Sequence, residues 1–505
     1  MTTFQRVWES AVRDHGDRPF LVFRAESGVR SDWSYAEFDA VVARTAGALH
    51  AAGVRSGSAV HVVLRNCPAF VALWLAASRL GAWLVPVDPQ STARDIASQV
   101  RRVAPAAGIC AASRGAPYRE GAAGRVPAVI ELAEDAADTA AGGPLDGPVF
   151  APAVVRPDDR LAVMFTSGTT SAPKGVVLTQ AAYATVARVM AEAVALEPRH
   201  RWHVTLPLFH ANAQYYCFAP AMAAGASVAL SAVFSASGWV RHARELGVTH
   251  ASLFAAPIRM ILARVPADER PLALEHVWFA QSLGREHHRK FADLVGARPR
   301  QLYGMTETVA IVCADTGELA RHDVIGQPVA GRRIRLEQAG TGGPADAPGE
   351  LLVLGTPGVD LFAGYLDDEA LTAKVFREKT ADGTWFATGD LVSRGTDGLL
   401  RFVGRVDDVI KVAGENVSLT EVEAVLAQAP GVLEVAVVSR EDAVRDVVPV
   451  AYVVARDAAA PPSPAELDEW AARNLTPAAR PRDWTLIDEL PRTSVGKVRR
   501  FRLVT

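Results

Sequence analysis

Residues 166–175 read Thr166-Ser167-Gly168-Thr169-Thr170-Ser171-Ala172-Pro173-Lys174-Gly175, directly after the apolar run Leu161-Ala162-Val163-Met164-Phe165. A short continuous apolar run reads as a buried strand. Emptied into a loop of glycine and hydroxyl residues, it makes a phosphate cradle in outline. Small residues let backbone N–H groups approach an oxyanion. The hydroxyls of Thr166, Ser167, Thr169, Thr170 and Ser171 add donors around Gly168, and Lys174 adds a mobile positive charge. The loop is not a Walker A motif, because no Gly-Lys-[Ser/Thr] follows the glycine. Taken without its surroundings, it also reads as a Ser/Thr/Gly surface loop.

The flanking pattern is α/β. Tyr35, Phe38, Val41, Val42, Ala46, Leu49 and Ala52 recur near a 3.6-residue period, which predicts a helix over 34–54. Ser58 to Leu64 reads as a strand, Ala69 to Leu80 as a helix and Ala82 to Val87 as a strand. Such alternation implies parallel sheets covered by helices. Gly121 to Asp159 is rich in Ala, Gly and Pro and reads as a variable connection with no chemical motif. From Ala330 to Gly364 the pattern changes to short β runs with turns, and after Arg405 it becomes a compact βαβ-like unit. A chain of 505 residues exceeds one ordinary core. The expected division is a core over 1–404, a hinge over 405–408 and a small domain over 409–505.

Composition narrows the function class. The formal net charge is −3, so no strong field points to nucleic acid or a membrane surface. Cys67, Cys110, Cys217 and Cys313 are scattered without Cys-x-x-Cys spacing, and read as buried thiols rather than a disulfide frame or zinc site. Met1 to Arg18 has no signal-peptide core, and Phe70 to Val85, interrupted by Arg79, stops short of a membrane span. The expectation is a cytoplasmic enzyme.

Four further segments carry chemistry. In Tyr303-Gly304-Met305-Thr306-Glu307-Thr308 an aromatic can present its face to a planar base, Thr306 can donate to a phosphate oxygen and Glu307 can hold Mg²⁺. In Thr388-Gly389-Asp390 a carboxylate after a glycine turn suits ribose hydroxyls. Gly404-Arg405-Val406-Asp407-Asp408-Val409-Ile410-Lys411 precedes Gly414-Glu415-Asn416-Val417, and Pro491-Arg492-Thr493-Ser494-Val495-Gly496-Lys497 lies near the end of the chain.

With these five motifs in order, the chain resembles the adenylate-forming superfamily: acyl-CoA synthetases, peptide-synthetase adenylation domains and beetle luciferases. The resemblance runs from Trp33-Ser34-Tyr35 to Lys497. Its loop form and Pro207-Leu208-Phe209-His210 look most like carnitine- and fatty-acid-type CoA ligases. It implies a large N-terminal domain of stacked mixed sheets with covering helices, a small β-rich subdomain and a small mobile α+β C-terminal domain. ATP and Mg²⁺ are implied, with coenzyme A as second substrate or a carrier protein in its place. By resemblance, Thr166 to Lys174 grip the β- and γ-phosphates. Tyr303 stacks on adenine, Thr306 touches the α-phosphate, Glu307 binds Mg²⁺, and Asp390 and Arg405 hold the ribose. Lys497 bridges the carboxylate and the α-phosphate, and His210 gates the acid pocket. Asp407 is the hinge about which the small domain swings, bringing Lys411 to the site for the second half-reaction.

Four places depart from the family. Ala413-Gly414-Glu415-Asn416 stands where Gly-Gly-Glu-Asn is usual, Gln180 where a His follows the phosphate loop, and Ala478-Ala479-Arg480-Pro481 where Tyr/Phe-Lys-x-Pro precedes the final strand. Ala280-Gln281-Ser282-Leu283 replaces Gly-Ala-Pro-Leu on the acid pocket. The expected wall holds His210, Asn212, Gln214, Tyr215, Tyr216, Gln281 and Ser282, more polar than a plain fatty chain needs. The substrate expected is a polar or aromatic carboxylic acid, and the product a CoA thioester. The alternatives are a diazotase that activates nitrite for an aryl amine, transfer to a carrier-protein thiol, and a binding-only pseudoenzyme.

Overall fold

The computed structural model describes residues 1–166, 173–266, 268–317, 321–338, 348–412, 415–442, 446–492 and 498–503. Two large sheets dominate the N-terminal part. One has seven strands in the order Gly364–Tyr365, Lys174–Thr179, Arg160–Thr166, Trp83–Val87, Ala59–Val63, Ala107–Ala111 and Ala128–Leu132. The five strands from Arg160–Thr166 to Ala128–Leu132 pair in parallel. The other has nine strands and is parallel through its centre, from Pro19–Arg24 across to Pro299–Tyr303.

Continuous apolar strands such as Ala59–Val63 and Trp83–Val87 are buried along their whole length, as parallel strands covered on both faces must be. The helix Pro68–Leu80 buries every residue except Arg79, and so lies inside the structure instead of on its surface. The helix expected over 34–54 runs Tyr35–Ala51. Its start is fixed by a capping box in which the Ser34 hydroxyl accepts from Glu37 N and the Glu37 carboxylate accepts from Ser34 N. No described helix is long and apolar enough to cross a membrane.

The segment Gly121–Asp159 is more than a connection. It contributes the strand Ala128–Leu132, which closes one edge of the seven-stranded sheet, and Glu134, whose carboxylate accepts from Arg65 Nε at 2.9 Å. Its Ala/Gly/Pro content hid a strand whose five residues are mostly half-exposed.

A smaller antiparallel sheet follows, in the order Arg333–Glu337, Gly349–Gly355, Gly383–Arg394 and Phe376–Thr380, with Leu400–Arg405 paired to Gly383–Arg394. It ends at Arg405. After the single turn Val406–Asp408 a separate sheet begins at Val409–Val412, in the order Glu415–Ser418, Val409–Val412, Asp446–Ala455 and Val432–Asp442. The helices Leu419–Leu426 and Pro464–Asn474 cover it around a core of its own that includes Val412, Leu419, Val422, Val437, Val453 and Leu467. The architecture is the expected one: a large domain of stacked sheets and helices, a β-rich subdomain and a small α+β unit. Arg500 ties the end of the chain back to the turn, with Nη2 2.7 Å from Glu423 Oε2 and Nη1 3.5 Å from Asp408 Oδ2.

Candidate active site

The motifs converge on one cleft of about 3090 Å³ between the large part and the C-terminal unit. Thr166, Lys174, Tyr303, Thr306, Glu307, Asp390, Arg405 and Asp407 all border it. Ser167, Gly168, Thr169, Thr170, Lys497, Ala413 and Gly414 lie outside the described residues. The ends of the phosphate loop are nonetheless fixed, because Thr166 and Lys174 face each other across an antiparallel strand pair. Arg492 and Val498, which flank the Lys497 segment and pair as an antiparallel bridge, line the same cleft. Lys411 is exposed on Val409–Val412 and is not part of the wall.

Asp390 is held through both of its carboxylate oxygens. Its Oδ1 accepts from Arg405 Nη1 at 2.8 Å and its Oδ2 from the Tyr303 hydroxyl at 2.5 Å. Strand register sets this geometry, since Asp390 lies directly opposite Arg405. Gly389 between Thr388 and Asp390 has φ +71°, and a Cβ there would sit 3.1 Å from Arg405 Nη2. The left-handed turn and the close guanidinium both call for glycine. Burial, and then the Asp390 carboxylate, push the Tyr303 phenol well above its usual pKa, so it stays a donor.

Glu307 is almost fully buried. Its Oε1 accepts from the Tyr365 hydroxyl at 3.1 Å, and Lys174 Nζ stands 5.6 Å from the centre of the Tyr365 ring. Burial raises the Glu307 pKa against its backbone and Tyr365 hydrogen bonds and the charges of Arg405 and Lys174. No group of three or more His, Cys, Asp or Glu side chains suited to a metal ion occurs among the described residues. Glu307 would give a cation one carboxylate, with phosphate oxygens and water completing the shell. That donor set fits Mg²⁺.

The loop after Tyr303 depends on a residue no motif marked. Arg332, buried, donates from Nη2 to Thr308 O at 2.6 Å and Ala310 O at 3.3 Å, from Nε to Ile311 O at 3.2 Å and from Nη1 to Asp360 O at 2.8 Å. Between the first two carbonyls sits Val309, at φ +63° and ψ −74°. A β-branched residue at positive φ is strained by about 1–3 kcal/mol and persists only where its surroundings hold it. The guanidinium, gripping the chain on both sides, does this. Arg332 is separated from the motif in sequence, and only its position in the fold identifies it.

Five of the seven residues expected on the acid wall border the cleft, and two do not. His210, Asn212, Tyr216, Gln281 and Ser282 border the cleft. Gln214 and Tyr215 do not. Gln214 is fully buried, accepting from the Tyr183 hydroxyl at 2.6 Å and donating to Leu208 O at 2.6 Å, and Tyr215 packs edge-on against Tyr183 in the core. Residues Asn212–Phe218 form a π-helix, whose wider turn is not legible from an apolar pattern. Asn212 and Tyr216, four residues apart on it, are the pair left on the wall. Both side-chain polar atoms of Asn212 are buried without a hydrogen-bond partner among the described residues. An unpaired buried polar group costs about 1–3 kcal/mol.

Two of the departures lie away from the cleft. Gln180 is buried between helices, where its Oε1 accepts from Gln5 N at 3.1 Å and its Nε2 donates to Ser78 Oγ at 3.0 Å. Ala478 and Ala479 pack on the C-terminal core, and Arg480 donates to Leu475 O and Ala472 O. Of the four departures, the described residues place only 280–283 on the cleft wall.

The comparisons with known proteins agree with this geometry. Residues 8–366 match the AMP-binding enzyme family and residues 421–497 match the AMP-binding enzyme C-terminal domain. The chain belongs to the AMP-binding enzyme family. It is an ATP-dependent, AMP-forming ligase acting on small molecules. A crotonobetaine/carnitine–CoA ligase of Salmonella paratyphi A is 28% identical over 98% of this chain and 97% of its own. Among solved structures, the anthranilate CoA ligase AuaEII in complex with anthranoyl-AMP superposes with a TM-score of 0.88 at 21% identity, covering 99% of this chain and 96% of its own. A benzoate CoA ligase from Burkholderia xenovorans LB400 superposes with a TM-score of 0.86 at 23% identity, over 100% of both chains.

Proposed function

We propose that the protein is an acid–CoA ligase acting on a polar or aromatic carboxylic acid. The observation that carries this reading is the meeting, in one cleft, of the nucleotide-type residues with a polar acid wall. Thr166, Lys174, Tyr303, Thr306, Glu307, Asp390 and Arg405 line it together with His210, Asn212, Tyr216, Gln281 and Ser282. The relatives named for crotonobetaine, carnitine, anthranilate and benzoate support an acid substrate and CoA as acceptor.

In this reading the phosphate loop, with Lys174, holds the β- and γ-phosphates. The Tyr303 ring packs on adenine while its hydroxyl holds Asp390, the carboxylate that binds the ribose diol. Glu307 would hold Mg²⁺, which neutralises phosphate charge as the α-phosphorus is attacked. The acid enters past His210. Its carboxylate attacks the α-phosphate, and Lys497 spreads the charge that develops there. The second step needs a thiol at the same carbonyl. Rotation about Asp407 withdraws Lys497 and brings Lys411 round. The cleft wall carries the flanks of Lys497 and omits Lys411, in keeping with the adenylating pose.

Acid-dependent exchange of pyrophosphate into ATP, run without CoA, tests the first half-reaction. Wild-type exchange with an aromatic or polar acid, reduced by about two orders of magnitude or more in Lys497→Ala, is expected. Exchange at the wild-type rate in that variant contradicts the role of Lys497. AMP formation from nitrite and an aryl amine, with no acid-dependent exchange, would favour the diazotase instead.

A further inference from the structure

We infer that Asn212 is the specificity-determining residue of the pocket, and that it selects acids bearing a neutral hydroxyl or amino substituent. This role rests on the acid-site reading above. Asn212 opens the π-helix Asn212–Phe218 and is 5% exposed. Its Nδ2 and Oδ1 are both buried without a partner among the described residues, although the side chain borders the cleft. The neighbouring amide, Gln214, shows the contrast: both of its polar atoms are paired within the core. A buried amide left unpaired at both atoms, on a residue that borders a cleft, would be satisfied by a group that both accepts and donates.

The chemistry of that group follows from what the amide lacks. Asn212 carries no net charge, so it offers nothing to offset a second carboxylate or a quaternary ammonium. A carboxylate would take the Nδ2 hydrogen bond and leave Oδ1 facing negative charge. An alkyl chain or unsubstituted ring would leave both atoms as unpaired as they are in the free protein. A hydroxyl or amino group satisfies both at once. Tyr216 stands on the same face of the π-helix, and Gly304 lets its hydroxyl approach, since a Cβ there would lie 3.1 Å from Tyr216 Oη and 3.3 Å from Ile311 Cα.

The test is pyrophosphate exchange by the full chain with matched acids: benzoate against its hydroxy- and aminobenzoates, and hexanoate against its hydroxyhexanoates. Wild type should prefer at least one substituted acid over its unsubstituted parent by about 100-fold or more in kcat/KM, the scale expected when two buried polar groups are satisfied by one acid and left unpaired by the other. Asn212→Leu should collapse that ratio to within about fivefold, because it has no polar atom left to satisfy. The ligand-free Leu variant should also melt above wild type, since the unpaired amide is gone. Asn212→Ala repeats the selectivity test where the Leu variant does not fold. An unchanged ratio in these variants, an unselective wild type, or a wild type inactive with every substituted acid overturns the role of Asn212. Failure of the acid-site reading itself looks different, with no acid of either kind supporting exchange while nitrite and an aryl amine support AMP release.

Discussion

The Tyr303 hydroxyl lies 2.5 Å from Asp390 Oδ2, across 87 residues of chain, and Arg405 holds the other oxygen of the same carboxylate at 2.8 Å. The groups proposed to stack on adenine and to hold the ribose are therefore one unit. An ionised carboxylate has about four acceptor sites. Arg405 and Tyr303 anchor one oxygen each, which fixes the carboxylate proposed to bind the ribose diol. ATP should consequently be preferred over its 2′,3′-dideoxy form by about 10- to 150-fold in kcat/KM, as expected for hydrogen bonds to a charged group. Asp390→Asn should flatten that preference, and Tyr303→Phe should lower stability while retaining most of it. Exchange kinetics with the two nucleotides check this; equal use of both by wild type removes Asp390 from ribose binding.

Arg332 is expected to be among the most costly surface-remote positions in the chain. Arg332→Leu leaves the carbonyls of Thr308, Ala310, Ile311 and Asp360 without this donor and releases the strained Val309. A loss of about 3 kcal/mol or more is expected from several unpaired buried acceptors. Chemical denaturation measures it. Activity should fall with stability because Thr306 and Glu307 belong to the same loop. A Leu variant as stable as wild type would mean that the loop holds itself.

Buried histidines make stability fall in acid. Burial lowers the pKa of His61 to about 4, and of His203 and His250 to about 3. Each stays neutral when folded but takes a proton near pH 6.5 once unfolded. The unfolded state thus binds more protons below that pH. Stability contributed by these groups is complete above pH 6.5. It declines as pH falls toward 4, by up to about 1.4 kcal/mol per pH unit for each histidine. Melting temperature should be flat above pH 7 and drop between pH 6.5 and 4. His61→Gln should shallow the drop. A melting curve independent of pH over that window contradicts the assignment of neutral, buried rings.

The hinge proposed at Asp407 would separate the two half-reactions. Asp407→Pro fixes φ near −65°, a value the turn Val406–Asp408 can adopt, while resisting a large rotation. Pyrophosphate exchange should persist and thioester formation should slow by about tenfold or more, as when a gating motion is blocked. Equal loss of both half-reactions, or of neither, argues against rotation at this residue.

Much of this was legible in the sequence where chemistry and periodicity coincide locally. The helix Tyr35–Ala51, the strands Ala59–Val63 and Trp83–Val87, and the motif residues Tyr303, Glu307, Asp390 and Arg405 fall where spacing and residue type place them. Relationships that close over long stretches of chain were not legible. Nothing near Tyr303 announces that its hydroxyl belongs to Asp390, and Arg332 and Tyr365 become visible only when the fold brings them to the loop after Tyr303. The segment 212–216 misled for a different reason. Its polar residues all suit a pocket, and the π-helix alone decides that Asn212 and Tyr216 face the cleft while Gln214 and Tyr215 turn into the core.

The acceptor is the central claim, and one measurement addresses it. The protein is incubated with ATP, Mg²⁺ and a hydroxy- or aminobenzoate, with and without CoA, and the products are read by mass spectrometry. The account predicts AMP release that depends on free CoA, with a mass corresponding to the acyl-CoA thioester. AMP release indifferent to CoA, with no thioester, or a diazo product formed from nitrite and an aryl amine, would contradict it.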